Sequence, residues 1–250
     1  MPEKLFVPGK RSHKGENGRL LVIGGSRQYH GAPVFSLLAA RRFVDLAYFY
    51  PGEKDPYLLN AVKRVPEVIV VRGLGNLPKM DCVLFGIGLG KAAFAISRLR
   101  KARRLVIDGD GLKRIKGRIP RGAILTPHEG EFRMLFGIRG TRANVRAMAA
   151  KNKCIILKKG PEDIISDGRR VVVNRLHNQG MTKGGTGDVL SGLVAALACK
   201  NDPFTASVAG ARINGYAGNL LKRRYGYNFS ATDLADELAE SCERLYGRKK

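Results

Sequence analysis

Lys183-Gly184-Gly185-Thr186-Gly187-Asp188-Val189-Leu190-Ser191-Gly192 is the segment whose residue types point most directly to chemistry. Its glycines free the backbone for a close turn, so consecutive N–H groups can converge on one anion, and the apolar run after Asp188 starts a helix whose positive end faces the same point. Asp188 falls in the first turn of that helix, where the dipole favours the carboxylate and leaves it able to take a proton from a substrate hydroxyl. The plainer alternative is a glycine turn whose aspartate only caps the helix. Gly187, Ser191 and Ala195, at four-residue spacing, leave one helical face with little bulk for close packing. No GxxxxGK(S/T) stretch occurs, so bare amides and a helix dipole would have to hold phosphate, helped by magnesium and a nearby lysine.

A second glycine-rich stretch, Gly86-Ile87-Gly88-Leu89-Gly90-Lys91, follows an apolar run, and Asp108 ends the next one. The third glycine of a dinucleotide-binding GxGxxG would fall on Lys91, so the stretch reads instead as a loop whose backbone approaches a ligand, with Gly88 as the contact. Asp108 and Asp110 emerge from a buried run, where they either hold magnesium through water, orient a hydroxyl, or build an Asx turn. Thr126-Pro127-His128-Glu129-Gly130-Glu131-Phe132 brings an imidazole and two carboxylates to a further edge of this kind. No second histidine follows four residues on, which excludes an HExxH zinc site. His128 reads as a hydrogen-bond partner or proton relay for a substrate, against the common case of a lone structural histidine.

Positioning these segments requires elements that end where they stand. Short apolar runs at 19–23, 44–50, 67–71, 81–85, 104–108, 122–126 and 153–157 read as buried strands, with helical patterns at 34–43, 57–64, 92–101, 131–136 and 141–151 between them. Such alternation predicts an α/β fold, a mostly parallel central sheet with helices on both faces and ligands at the carboxyl ends of the strands. Two β-branched runs joined by Ser166, Asp167 and Gly168 predict a hairpin over 164–173, and three helices follow at 186–200, 203–223 and 231–246. No linker composition or fixed-period repeat divides the chain, so residues 1–250 are expected to form a single domain.

A composition 44% hydrophobic and 26% charged argues against disorder. No apolar run reaches the ~18 residues of a membrane span, and the first twenty residues have no secretory pattern, so a cytoplasmic protein is expected. Cys82, Cys154, Cys199 and Cys242 contain no close pair, which excludes a zinc ribbon, a CxxC redox site and a disulfide scaffold. Forty-five Lys and Arg against 21 Asp and Glu give a net charge of +24. That field attracts any polyanion, but the basic residues are scattered over many elements rather than lining one groove.

Taken in order, Gly24-Gly25-Ser26 with Gly31-Ala32-Pro33, then 86–90, 106–112, 124–132 and 178–192 resemble the NAD(P)H-hydrate dehydratase family of ribokinase-like proteins over nearly the whole chain. The specific pair is TPHxGEF followed by GGTGDVLxG; the family's usual prolines are replaced by Ile87 and Glu129, and its TGNPGM run by residues 176–181. The resemblance implies a three-layer ribokinase-like fold and a nucleotide-dependent dehydration of the S epimer of hydrated NADH or NADPH. In such enzymes the ring hydroxyl is phosphorylated by ADP, or by ATP in eukaryotic members, and the phosphate is then eliminated.

By the same resemblance Asp188 is the base, and Ala32, Gly88, His128 and Asp188 contact the hydrate. Lys159, Gly160, Pro161, Glu162 and Asp163 lie along the adenylate, while Gly185, Thr186 and Gly187 contact the nucleotide. Magnesium is the implied cofactor and ADP the co-substrate, with no metal ligand assigned. The implied partners are the hydrate and ADP, a second copy of the chain in a homo-oligomer, and a separate epimerase, without nucleic acid or membrane. Two other readings stay open: a kinase for a thiazole or pyrimidine alcohol sharing the anion hole, and a nucleic-acid-binding protein suggested by the charge alone.

Overall fold

The computed structural model describes residues 4–247. Among the described residues nine strands form one sheet: β1 (Arg19–Gly24), β2 (Leu46–Pro51), β3 (Val68–Val70), β4 (Cys82–Phe85), β5 (Leu105–Ile107), β6 (Ile124–Leu125), β7 (Ile155–Lys158), β8 (Asp163–Ser166) and β9 (Val171–Asn174). Their order is β3-β2-β1-β4-β5-β6-β7-β8-β9, parallel through β7, with β8 and β9 added as an antiparallel hairpin. The helices are α1 (Gly31–Ala40), α2 (Pro56–Lys63), α3 (Asp110–Arg114), α4 (Glu129–Phe136), α5 (Arg142–Asn152), α6 (Thr186–Ala198), α7 (Pro203–Tyr225) and α8 (Ala231–Tyr246).

Alternation along β1 shows why the molecule has three layers. Leu20 and Val22 point to one face, where they pack with Leu37 of α1 and the apolar residues of α6, α7 and α8. Leu21 and Ile23 point to the other, where Leu112 of α3, Phe132 of α4 and Val145 of α5 cover them. The two helical layers thus bury both faces of a sheet whose central strands are apolar throughout, as the sequence predicts. Helix α6 lies against α1 at backbone distance, because Gly192 has no side chain: a Cβ there would sit 2.3 Å from the Ser36 carbonyl oxygen. The close approach therefore runs through Gly192 rather than through the predicted small-residue face alone.

The helix expected over 92–101 is not present; a single 3-10 turn, Ile96–Leu99, stands there. The buried residues of this stretch are Phe94 and Leu99, five apart, which no single helical face can present together. Phe94 instead stacks 5.0 Å from the Phe85 ring and pins an irregular loop. In exchange α3, five residues long, starts two residues after Asp108, where the apolar pattern predicts no helix. Asn178 caps the 3-10 turn Gln179–Thr182 leading into α6, its Oδ1 accepting from Gly180 N at 3.0 Å.

Candidate active site

The carboxyl edge of the sheet gathers residues that lie far apart in sequence. Asp108 follows β5, Glu131 lies in the first turn of α4, Lys159 follows β7, and Asp188 lies in the first turn of α6. Lys159 Nζ stands 2.8 Å from Asp108 Oδ1, with the two side chains only 19% and 4% exposed. The lysine loop is fixed beside the His128 segment by Lys159 N donating to Pro127 O at 2.8 Å. A Cβ on Gly187 would come within 3.4 Å of Lys159 Nζ, which places the glycine turn of α6 against the same cation.

Three carboxylates around one lysine perturb one another. Burial, followed by the negative charge of Asp108, pushes the Asp188 carboxyl up to about 7; Lys159 opposes the shift and Glu131 adds to it. Burial likewise raises Glu131, with Lys159 pulling it down and Asp108 up. Burial pulls Lys159 down, but Asp108 and Glu131 outweigh it and keep the ammonium charged. The expectation that the helix start would simply leave Asp188 ionised is corrected: desolvation and neighbouring carboxylates dominate. A carboxyl near 7 is the better base, since about half of it is available at neutral pH and it holds a proton well once it takes one.

His128 is the N-cap of α4. Its Nδ1 accepts from Gly130 N at 3.0 Å and Glu131 N at 3.3 Å, while Glu131 Oε2 accepts from His128 N at 2.9 Å. This reciprocal cap commits Nδ1 as an acceptor, so in the neutral ring Nε2 carries the proton, 3.6 Å from Glu131 Oε2 on a side chain 62% exposed. Structural and ligand roles are therefore compatible in one ring.

Gly88 adopts φ +54°, and a Cβ there would lie 2.7 Å from the Ala32 Cβ, so the loop after β4 rests directly on the start of α1. One turn on from Ala32, Ser36 Oγ donates to Asp188 O at 2.8 Å and ties α1 to the first turn of α6. Ala32, Gly88 and Asp188 thereby share one corner of the edge.

Asp110 has a different task. Its Oδ2 accepts from Gly90 N at 2.7 Å and its Oδ1 takes Lys113 Nζ at 2.7 Å, so it clamps the glycine loop. Asp108 pairs with Lys159, so the two carboxylates answer to different partners. Among the described residues no group of three or more His, Cys, Asp or Glu side chains is placed to hold a metal ion.

A cleft of about 380 Å³ runs from His128 past Lys159, Gly160, Pro161 and Asp163 to Thr186, Gly187 and Asn214. Gly185 caps α6 at φ +91°, a conformation suited to glycine, and a Cβ there would meet the Phe35 ring at 2.6 Å. Thr186 lines the cleft, and its Oγ1 bonds Met181 O at 2.7 Å and Lys183 O at 2.8 Å, which braces the turn. The first-turn amides of Gly187 and Asp188 lack helical acceptors and remain as anion donors.

Glu162 is the one member of the adenylate-loop set that does not line this cleft. Arg142 at 3.3 Å and Arg175 at 2.7 Å hold its carboxylate on the outside and lower its pKa. Asp163 shapes the turn by accepting from Gly160 N at 3.1 Å and Asn174 Nδ2 at 3.0 Å. Lys158 reaches Glu129 at 3.5 Å, away from the Lys159 cluster.

A mostly parallel sheet between two helical layers, with a glycine-capped helix start facing a carboxylate cluster at its carboxyl edge, defines a ribokinase-like α/β protein. A ribokinase-like superfamily protein from Enterococcus faecalis V583 matches with TM-score 0.84 at 26% identity, covering 98% of this chain and 93% of that one. The Bacillus subtilis ADP/ATP-dependent NAD(P)H-hydrate dehydratase co-crystallised with ATP and magnesium matches the fold with TM-score 0.83 at 24% identity, over 98% and 94% of the two chains.

The family model for NAD(P)H-hydrate dehydratase matches residues 20–240, and the chain belongs to that family. The ADP-dependent (S)-NAD(P)H-hydrate dehydratase of Cenarchaeum symbiosum is 37% identical, covering 98% of this chain and 96% of its own. The chain spans about half the length of the archaeal relatives named bifunctional NAD(P)H-hydrate repair enzymes, 52% for that of Archaeoglobus fulgidus.

Proposed function

We propose that the protein restores NADH and NADPH from the S epimers of their hydrates, with ADP as phosphoryl donor. The observation that carries this reading is Asp188: a carboxyl held near 7, in the first turn of a glycine-capped helix, beside a buried lysine and next to a cleft of nucleotide size. Membership of the family and the naming of a full-length relative as an ADP-dependent (S)-NAD(P)H-hydrate dehydratase support it.

Asp188 takes the proton of the ring hydroxyl as that oxygen attacks the terminal phosphorus of ADP. The bond from phosphorus to the bridging oxygen breaks, and AMP leaves. The Gly187 and Asp188 amides, with Lys159, stabilise the charge on the transferring group. The lone pair of the ring nitrogen then drives out phosphate, with the carbon–oxygen bond breaking and a proton leaving the neighbouring carbon. Hydrate and ADP become NAD(P)H, AMP and phosphate.

Magnesium, when bound with the nucleotide, would neutralise phosphate charge. His128 Nε2–H and the Ala32 and Gly88 backbone corner would position the hydrate. A second hollow of about 940 Å³ opens beside that corner, lined by Arg27, Tyr29, Lys91 and Lys113 together with Glu53 and Asp110, and gives room for the remaining dinucleotide.

Incubation with NADH hydrate, ADP and magnesium should restore the near-ultraviolet absorbance of reduced nicotinamide from the S epimer. Absence of recovery with either ADP or ATP, together with phosphorylation of a thiazole or pyrimidine alcohol, would contradict the proposal.

A further inference from the structure

Asn214, on the α7 wall of the 380 Å³ cleft, is only 5% exposed, and its Oδ1 is buried without a hydrogen-bond donor. Neighbouring buried amides are satisfied: Asn174 Nδ2 donates to Asp163 Oδ2 and Ala211 O, and Asn178 Nδ2 donates to Asn219 Oδ1. A carbonyl stripped of water and left unbonded costs its full desolvation, so such an atom marks a place where a ligand can complete the bonding.

The surroundings suit a flat base. Gly215 and Gly218 let α7 press on Leu176 and Met181: a Cβ at Gly215 would meet Leu176 Cβ at 2.7 Å, and one at Gly218 would meet Met181 Cγ at 2.8 Å. Gly218 lies one turn from Asn214 on the same helical face. Leu176, Met181, Leu190 and Pro161 thus give the cleft apolar surfaces, while Lys159 and Gly187 supply a cation and an amide for phosphate. Apolar surfaces for a ring, one amide for its edge and a cation for its phosphates are the parts of a nucleotide site.

We infer that Asn214 reads the edge of adenine in this cleft, Oδ1 accepting from the exocyclic amine and Nδ2 donating to the adjacent five-membered-ring nitrogen. An amide side chain carries its acceptor and donor side by side, and asparagine to adenine at these two atoms is an ordinary bidentate pairing. A hypoxanthine ring puts a carbonyl oxygen where adenine has its amine, so two acceptors would face each other; a purine lacking the amine leaves Oδ1 unbonded. The inference rests on the proposal that this cleft takes a nucleotide, and it adds the choice of base.

The test is calorimetric titration of the protein, Asn214→Leu and Asn214→Ala with ADP, inosine diphosphate and the diphosphate of unsubstituted purine riboside, with thermal melting to confirm folding. The unsubstituted protein should bind ADP about ten- to a hundredfold more tightly than the other two, and both variants should bind all three alike. Preference for ADP that survives in the variants, or no preference in the unsubstituted protein, overturns the assignment while leaving the nucleotide cleft in place. Binding of none of the three overturns the cleft reading and the inference with it. The unsubstituted protein's comparison of the three diphosphates needs no variant, so a variant that fails to fold does not shelter the inference.

Discussion

Replacing Asp188 with asparagine separates two consequences of one half-buried carboxyl. The folded protein holds this proton up to about 7, whereas an ordinary aspartate releases it near 3.8. Between those values the folded state binds a proton that the unfolded state does not, so this group's contribution to stability falls as pH rises from about 4 through 7. Roughly three pH units at ~1.4 kcal/mol each set an upper limit of ~4 kcal/mol, and relaxation around a half-buried group leaves about 2 kcal/mol.

Asp188→Asn removes that penalty and should raise Tm at pH 8 by about 4–8 °C, a gain that shrinks towards pH 4. Turnover with NADH hydrate and ADP should fall by roughly 10²–10⁴ because the hydroxyl loses its base. Calorimetric ADP binding should remain. Scanning calorimetry at several pH values, alongside nicotinamide recovery, reads both effects. A lower Tm at pH 8 with unchanged turnover would refute the reasoning, as would lost ADP binding with full turnover per bound complex.

Four further outcomes follow from the same cluster and its supports. The kcat/KM of the unsubstituted enzyme should rise with pH through an acid limb centred near 7, since the base works only after losing its proton; a flat profile from pH 5 to 8 would contradict this. Glu131→Gln removes a negative charge that raises Asp188, so the acid limb should move to lower pH, and an upward move would reverse the assigned sign. Lys159→Met strands the buried Asp108 carboxylate, which should cost roughly 3 kcal/mol in thermal unfolding at pH 7 and shift the acid limb upward. Gly192→Ala forces a Cβ against Ser36 O and should cost about 1–3 kcal/mol in chemical denaturation; unchanged stability would refute the tight α1–α6 contact.

The apolar runs make the sheet, its parallel sense and the final hairpin legible in the sequence, because burial on both faces leaves few polar residues in a strand. The stretch 92–101 misled because its helical period competed with Phe94, whose stacking on Phe85 is a tertiary event. Helix α3 was hidden for a related reason: the Gly109 turn at φ +56° looks like a loop until the next five residues wind up.

Asp188, His128 and the glycine turn of α6 could be found because each sits in a local pattern with its own chemistry. The cluster could not, since Asp108, Glu131 and Lys159 lie on three separate strand exits and meet only through the order of β5, β6 and β7. Their common place, just beyond the carboxyl end of a strand, was the available signal. The Glu162 carboxylate is captured by Arg142 and Arg175, a pairing that sequence spacing does not reveal.

The central claim is that Asp188 activates the hydrate's own hydroxyl towards phosphorus, so that this oxygen leaves as part of phosphate. Hydrate made in heavy-oxygen water, turned over with ordinary ADP in ordinary water, tests it through the mass of the released phosphate. The account predicts one heavy oxygen in phosphate for each NADH formed, with AMP in equal amount. Unlabelled phosphate, with the heavy oxygen appearing in water, would contradict it.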